Sequence, residues 1–113
     1  MKISLQIDVT GPDDELRSVG QTYAAVRREI ELPYPPYPSL SIGLTRKRVD
    51  DDERIGELLK SVKPSGLIEV HSVTFWEDRQ ATYAYGYVGS DSLEQFYNTV
   101  ELFVRYYGFE VSG

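Results

Sequence analysis

The chain has 113 residues, of which 41% are hydrophobic and 27% charged, and its formal net charge is −6. Its length fits a single domain over residues 1–113, because domains of about 100–150 residues can bury one core. The acidic balance argues against a dedicated binder of duplex nucleic acid, which needs a basic face. The sequence has no Cys and one His, His71. The absence of Cys excludes disulfides and thiolate chemistry. The single His nearly excludes a catalytic triad or a His-rich metal site.

The first predicted element is a strand over residues 2–9, where apolar and polar side chains alternate. Its apolar face holds Ile3, Leu5, Ile7 and Val9, and its polar face holds Lys2, Ser4, Gln6 and Asp8. A secretory leader would show a basic start and a continuous apolar run instead. No segment approaches the ~20 apolar residues of a membrane span. We therefore expect a cytoplasmic protein without a membrane partner.

A helix of roughly 18–20 residues is predicted next, beginning near Pro12 and ending before Pro33. Pro12 suits the first helical position, and the three acidic residues after it complement the positive end of the helix. Apolar residues then recur at steps of three and four, which is typical of one buried helical face: Leu16, Val19, Tyr23, Val26 and Ile30.

The middle of the chain contains a proline-rich connector, a strand and a short helix. The connector covers residues 33–38, and alternating side chains predict a second strand over residues 39–45. Apolar residues from Ile55 to Val62 predict a short amphipathic helix, and the breaker residues at 63–66 end it.

Two runs of charge precede that short helix. The acidic run at 50–53 lacks the alternating ligands and glycine turn of a Ca²⁺ loop, and it complements a helix start. The basic run at 46–48 is interpreted as an exposed strand end. We predict neither a metal site nor a cofactor.

The last third of the chain is predicted to hold two strands and a helix. A third strand covers residues 67–76, where the apolar residues change face, which indicates a bulge near Ser72 or burial on both faces. A turn and a fourth strand over residues 82–88 follow. The last helix begins after the capping residues 89–92 and carries an apolar stripe from there to Tyr107.

This order of elements, β-α-β-α-β-β-α, predicts an α+β fold. The simplest arrangement is a two-layer sandwich, in which a four-stranded and mainly antiparallel sheet carries the helices on one face. The first strand–helix–strand unit is expected to be a right-handed crossover if its strands are parallel neighbours.

Aromatic residues concentrate between positions 75 and 109. Tyr83, Tyr85 and Tyr87 alternate along the fourth strand and therefore share one face. If that face is also the polar face of the first strand, the sheet displays a row of rings suited to an interface. The alternative is that the rings pack in the core or at its rim. The candidate binding residues are Tyr83, Tyr85, Tyr87, Trp76, Phe75, Tyr106 and Tyr107.

The segment Ala84-Tyr85-Gly86-Tyr87-Val88 resembles part of the signature strand of RNA-recognition motifs. That family stacks bases on aromatic side chains of its sheet, so the resemblance implies binding of single-stranded RNA through Tyr83, Tyr85 and Tyr87. The chain departs from the signature at Tyr83, where a basic residue is expected. Two basic and seven acidic residues from position 66 onward also oppose phosphate binding.

His71 and Glu69 form a possible polar site, because they are two residues apart on the third strand. A His near neutrality can move a proton, so an aromatic pocket around His71 would indicate a small-molecule binder or an enzyme. A structural hydrogen bond is the other interpretation of His71.

We therefore expect a small acidic interaction protein without enzymatic activity, such as an inhibitor, an immunity- or antitoxin-type partner, or an accessory subunit. Its partner would be a protein, with basic partners favoured by the acidic charge, and the aromatic region would also support a homo-oligomer. Small-molecule binding or catalysis around His71 is the alternative, and single-stranded RNA binding is a further one.

Overall fold

A computed structural model describes residues 1–21, 23–45, 53–62 and 66–112. Its elements confirm the α+β class. The described strands are β1 (Lys2–Val9), β2 (Ala24–Glu31), β3 (Ser41–Gly43), β4 (Leu67–Glu69), β5 (Ser72–Trp76), β6 (Ala81–Val88) and β7 (Glu110–Val111). The described helices are α1 (Asp13–Ser18), α2 (Glu53–Ser61) and α3 (Leu93–Arg105). The charged run at 46–48, most of the acidic run at 50–53 and the helix end at 63–65 lie outside the described residues.

Five strands form one mixed sheet in the order β5-β6-β1-β2-β7, while β3 and β4 form a separate pair. β1 is parallel to β6, and the other neighbours in the large sheet are antiparallel. The prediction of a single four-stranded sheet in the order β-α-β-α-β-β-α is therefore wrong in strand count and order. The additional strands come from residues 24–31, from a division of the third predicted strand, and from the C-terminal β7.

The long helix predicted between Pro12 and Pro33 is wrong. α1 has only six residues, and Gly20 follows it with φ +71°, a left-handed conformation that suits glycine and ends a helix. The chain then returns as β2, antiparallel to β1, so no parallel crossover forms here. Val26 and Ile30 misled the prediction because residues four apart share a face in a strand as well as in a helix.

The third predicted strand is divided at residues 70–71. The Val70 amide donates to the carbonyl of Leu40 beside the small sheet, whereas the His71 amide donates to the carbonyl of Tyr85 in β6. Since Ser72 is the register partner of Tyr85, His71 and Ser72 both lie opposite one residue. This is the geometry of a bulge, at the place where the sequence indicated one, and here the chain passes from one sheet to the other.

The fourth strand and the last helix agree with the sequence interpretation. β6 extends the predicted strand by one residue at its start. Ser92 caps α3, because its Oγ accepts a hydrogen bond from the Gln95 amide at 3.1 Å. The predicted second strand is shorter than expected and reduces to β3.

The core lies on one face of the large sheet. β1 contributes one whole row of nearly inaccessible side chains: Ile3, Leu5, Ile7 and Val9. Leu16 of α1, Leu58 of α2 and Phe96 of α3 belong to the same buried cluster. All three helices thus bury apolar side chains on this face, which is compatible with the two-layer arrangement expected from the sequence.

Gly86 lets the small sheet approach β6 closely. A Cβ atom at this position would lie 2.7 Å from Cγ2 of Ile68 and 3.2 Å from the carbonyl oxygen of Glu69. In contrast, a Cβ atom at Gly56 in α2 would meet nothing within 4 Å. Packing therefore requires glycine at position 86, whereas position 56 has room for a larger side chain.

We expect Gly86→Ala to lower the free energy of unfolding by about 1–3 kcal/mol, because an overpacked core must shift to accept the methyl group. Gly56→Ala is the matched control. It should raise stability by roughly 0.5–1 kcal/mol, since alanine is the better helix former. Urea unfolding followed by circular dichroism measures both. A Gly86→Ala midpoint equal to that of the wild type would contradict the close packing of β4 on β6.

A surface charge network links α2 to α3. Arg54 donates from Nε to Oε2 of Glu101 at 2.8 Å and from Nη2 to Oε1 at 2.9 Å. Arg105 lies 3.1 Å from the same carboxylate. The hydrogen bonds from Arg54 lower the pKa of the Glu101 carboxyl; burial opposes them, and the charges of Arg54 and Arg105 add to the lowering.

Glu101→Gln should lower the stability at about pH 7 by at most ~1 kcal/mol, because both partners of the pair are partly exposed. The contribution of Glu101 is fully present above the unfolded-state pKa of about 4.3 and is lost as the pH falls through the lower folded-state pKa. Urea unfolding of wild type and variant across the acid range measures this effect. A stability difference that stays constant down to strong acid would argue against it.

Candidate functional site

The second face of the large sheet, here called the open face, carries the polar side chains of β1 and the tyrosines of β6. Neighbours that are paired across strands lie on the same face of a sheet. The parallel register pairs Tyr83 with Ser4, Tyr85 with Gln6, and Tyr87 with Asp8. The structure therefore places the tyrosine row on the polar side of the sheet, opposite the core.

The open face is accessible in the part of the chain that the structure describes. The buried side chains of the helices, such as Leu58 and Phe96, join the core cluster on the other face. Tyr87 is 55% exposed and Trp76 is 39% exposed. Large rings with this accessibility on a sheet face are available to a partner.

Three rings and two guanidinium groups on the open face form what we call the arginine–aromatic cluster: Arg27, Trp76, Arg79, Tyr83 and Tyr85. The Trp76 Nε1 donates to the Tyr85 hydroxyl at 2.8 Å, and the rings of Tyr83 and Tyr85 lie 6.0 Å apart. The Arg79 guanidinium lies 5.4 Å from the Trp76 ring and 5.6 Å from the Tyr83 ring. These contacts hold each ring in a defined orientation.

Tyr83 is the centre of this cluster and is only 4% exposed, although it belongs to the open face. Nη1 of Arg27 donates to its hydroxyl oxygen at 2.7 Å, and the Arg79 guanidinium carbon lies 5.6 Å from its ring centroid. Burial raises the pKa of the Tyr83 hydroxyl, but the hydrogen bond from Arg27 and the positive charges of Arg27 and Arg79 outweigh it, so the net pKa is lowered.

His71 meets Tyr87 at one end of the open face. Their ring centroids are 5.0 Å apart in an edge-on arrangement, and His71 reaches this position because of the bulge at His71 and Ser72. Glu69 lies on β4, where it pairs with Ser41, and no hydrogen bond or ion pair joins it to His71. The structure therefore does not assemble the predicted His71–Glu69 site.

The remaining candidates lie elsewhere. Phe75 is 59% exposed, but its register partner is Thr82, so it lies on the opposite face from Tyr83. Tyr107 is 5% exposed and packs against Phe103, with ring centroids 5.6 Å apart, while Tyr106 packs against Tyr107. The structure thus brings together four of the predicted binding residues and separates the other three from them.

Sequence reasoning missed Arg27 and Arg79. The helical pattern between Pro12 and Pro33 hides Arg27, although Arg27, Glu29 and Glu31 alternate as one polar face of a strand. Arg79 was assigned only to a turn between strands. Its position three residues after Trp76 and four before Tyr83 was the available signal, since a tight turn folds such a side chain back over its flanking strands.

A cavity of about 560 Å³ lies between the small sheet and helices α2 and α3. Its apolar lining includes Leu67, Ile68 and Phe103, and Thr99 and Gln95 contribute polar atoms. His71 is not part of this lining. The predicted aromatic pocket around His71 therefore does not correspond to this cavity.

Within the described ranges, no three His, Asp or Glu side chains come together in a group that could hold a metal ion. No described helix has the length and apolarity needed to cross a bilayer. A comparison with protein-family models found no match, and comparisons with curated proteins and with solved structures found none either. The geometry of the open face is therefore the feature of this chain that bears most directly on its function.

We expect Tyr83→Phe to remove one phenolate transition that lies below the ordinary tyrosine pKa of about 10. Ionisation of Tyr83 stabilises the folded state because the folded-state pKa is lower than the unfolded-state pKa. This contribution is absent below the folded-state pKa, and it grows as the pH rises from there to the unfolded-state pKa. The wild type should therefore gain stability over Tyr83→Phe as the pH rises through this window. Phenolate absorbance and urea unfolding at several alkaline pH values measure the two effects. Superimposable titration curves would refute the role of the arginines.

Proposed function

We propose that this chain is a non-enzymatic interaction protein that binds a protein partner through the open face. The observation that carries the proposal is the arginine–aromatic cluster, which is ordered by its own contacts beside the exposed ring of Tyr87. Inhibitors, immunity- or antitoxin-type proteins and accessory subunits are the classes that fit. We further propose a cytoplasmic location.

Preorganisation supports this function. The Trp76–Tyr85 hydrogen bond and the stacking of Arg79 fix the rings before any partner arrives. A partner therefore pays little additional side-chain entropy when it docks on them. Tyrosine, tryptophan and arginine are also the residues that contribute most strongly at protein interfaces.

Charge favours a protein over RNA as the partner. Asp8, Glu29 and Glu31 share the open face with Lys2, Arg27 and Arg79, so the face is of mixed charge and lacks the continuous basic surface that a polyanion needs. These carboxylates suit a partner with basic groups around the edge of its interface, which also steer encounter. A second copy of the chain is one form that such a partner can take.

Site-specific photo-crosslinking tests the proposal in the cells that produce the protein. A photoreactive phenylalanine analogue replaces Tyr87 on the open face or, as a matched control, Tyr97 on α3, which is 50% exposed. We expect discrete protein adducts from position 87 and none in common with position 97. Tyr87→Ala should then weaken binding of the identified partner by about tenfold or more, whereas Tyr97→Ala should not.

Two outcomes would contradict the proposal. The first is the same set of adducts from both positions, which would indicate non-specific contact. The second is the absence of protein adducts at position 87 from a folded protein that is also monomeric by light scattering.

A further inference from the structure

Two positive charges lie against one ring of the open face. Arg27, on β2, donates to the Tyr83 hydroxyl, and Arg79, in the turn between β5 and β6, lies over the Tyr83 ring. Both guanidinium carbons lie within 6 Å of the Tyr83 ring centroid, at 5.9 and 5.6 Å. The two side chains come from residues 52 positions apart, so the tertiary fold creates this pairing.

Neither guanidinium is neutralised within the described part of the chain. The ion pairs there involve Arg54, Arg105 and the N-terminal amine, and no carboxylate pairs with Arg27 or Arg79. Glu29 lies two residues from Arg27 on the same strand face, and Glu110 is the register partner of Arg27 on β7, but neither described carboxylate forms an ion pair with the Arg27 guanidinium. Among the described residues, one side-chain hydrogen bond is made by these two guanidinium groups, from Arg27 to the neutral hydroxyl of Tyr83.

Both guanidinium groups carry a positive charge over the same buried ring. Arg27 is half-buried and Arg79 is exposed, so an anion from solvent or from a partner can reach them. An anion bound over Tyr83 would offset these two positive charges and would receive charge-assisted hydrogen bonds from the arginine donors. The two arginines are therefore suited to hold an anionic group at this place.

We propose that Arg27 and Arg79 form a binding site for a carboxylate side chain that the protein partner inserts over Tyr83. This inference rests on the proposed function and specifies the chemistry at the centre of its interface. Arginine matches the planar carboxylate with two parallel donors. The neighbouring acids Glu29, Glu77 and Asp78 repel the successive phosphates of a nucleic acid more strongly than a single carboxylate.

Trp76 provides a reporter for the site, because it is the only tryptophan in the chain and lies 5.4 Å from the Arg79 guanidinium. The probe is the peptide acetyl-Ala-Glu-Phe-Glu-Ala-amide, and its counterpart with Gln in place of Glu is the peptide control. Trp fluorescence and the arginine Nε–H resonances follow the titration at low salt. We expect only the Glu peptide to perturb both signals.

Arg27→Gln and Arg79→Gln should each weaken binding of the Glu peptide by about tenfold or more, the scale of a lost charge-assisted hydrogen bond. Arg17→Gln is the matched control. Arg17 is an exposed residue of α1, and its loss changes the net charge equally without touching the site. Arg79→Lys keeps the charge but loses the paired donors, so it should bind more weakly than wild type. Urea unfolding confirms that each variant is folded.

Three results would overturn the proposal: equal binding of the Glu and Gln peptides, an equal effect of Arg17→Gln and Arg79→Gln, or unperturbed arginine resonances. Tighter binding of a short oligouridylate through the same two arginines would replace the carboxylate with phosphate. If position 87 still crosslinks to a protein partner while Arg27 and Arg79 variants bind normally, this inference fails and the proposed function stands.

Discussion

The parallel pairing of β1 with β6 is the constraint on which the rest of this structure depends. It joins the first strand of the chain to one that begins about 80 residues later, and its register decides which side chains share a face. With Ser4 beside Tyr83, the apolar row of β1 faces the helices and the tyrosines face away. A shift by one residue would exchange these faces, so core packing and the open face are specified together.

The bulge at His71 and Ser72 is the second determinant of the site. The chain leaves the small sheet at Val70 and enters the large sheet within one residue. This passage brings β5 to the edge of the sheet with Trp76 on the same face as Tyr85, and it directs His71 towards Tyr87. The small sheet in turn depends on Gly86, which permits the close approach of Ile68.

The sequence predicted the elements whose patterns match only one period. β1 and β6 alternate strictly, and α3 combines a capping serine with a long apolar stripe, so each was located within a residue or so. β2 was mistaken for a helix because Val26 and Ile30 satisfy both periods, and the glycine at position 20 was the contrary signal. The two-residue strand β7 has too short a pattern to be recognised.

The tyrosine row was predictable from alternation along one strand, but the arginine–aromatic cluster was not. Its members come from β2, from β5, from the turn between β5 and β6, and from β6. Only the tertiary register therefore brings them together. The separation of Glu69 from His71 has the same origin, since the chain changes sheets between them. The alternation of residues along one strand determines which side chains share a face of the sheet. Contacts between distant segments of the chain determine which of those side chains form a cluster.

The two edges of the large sheet are unequal, and this affects how the protein avoids aggregation. β7 pairs with β2 at Val26 and Arg27, and the Ser112 amide also donates to the carbonyl of Ala25. The later part of that edge carries Arg28, Glu29 and Glu31, whose charges discourage the addition of a foreign strand. The opposite edge, β5, ends in Phe75 and Trp76, both exposed. Its protection comes from its length of five residues and from the bulge at its start. Uncontrolled strand addition is therefore limited by charge on one side and by geometry on the other.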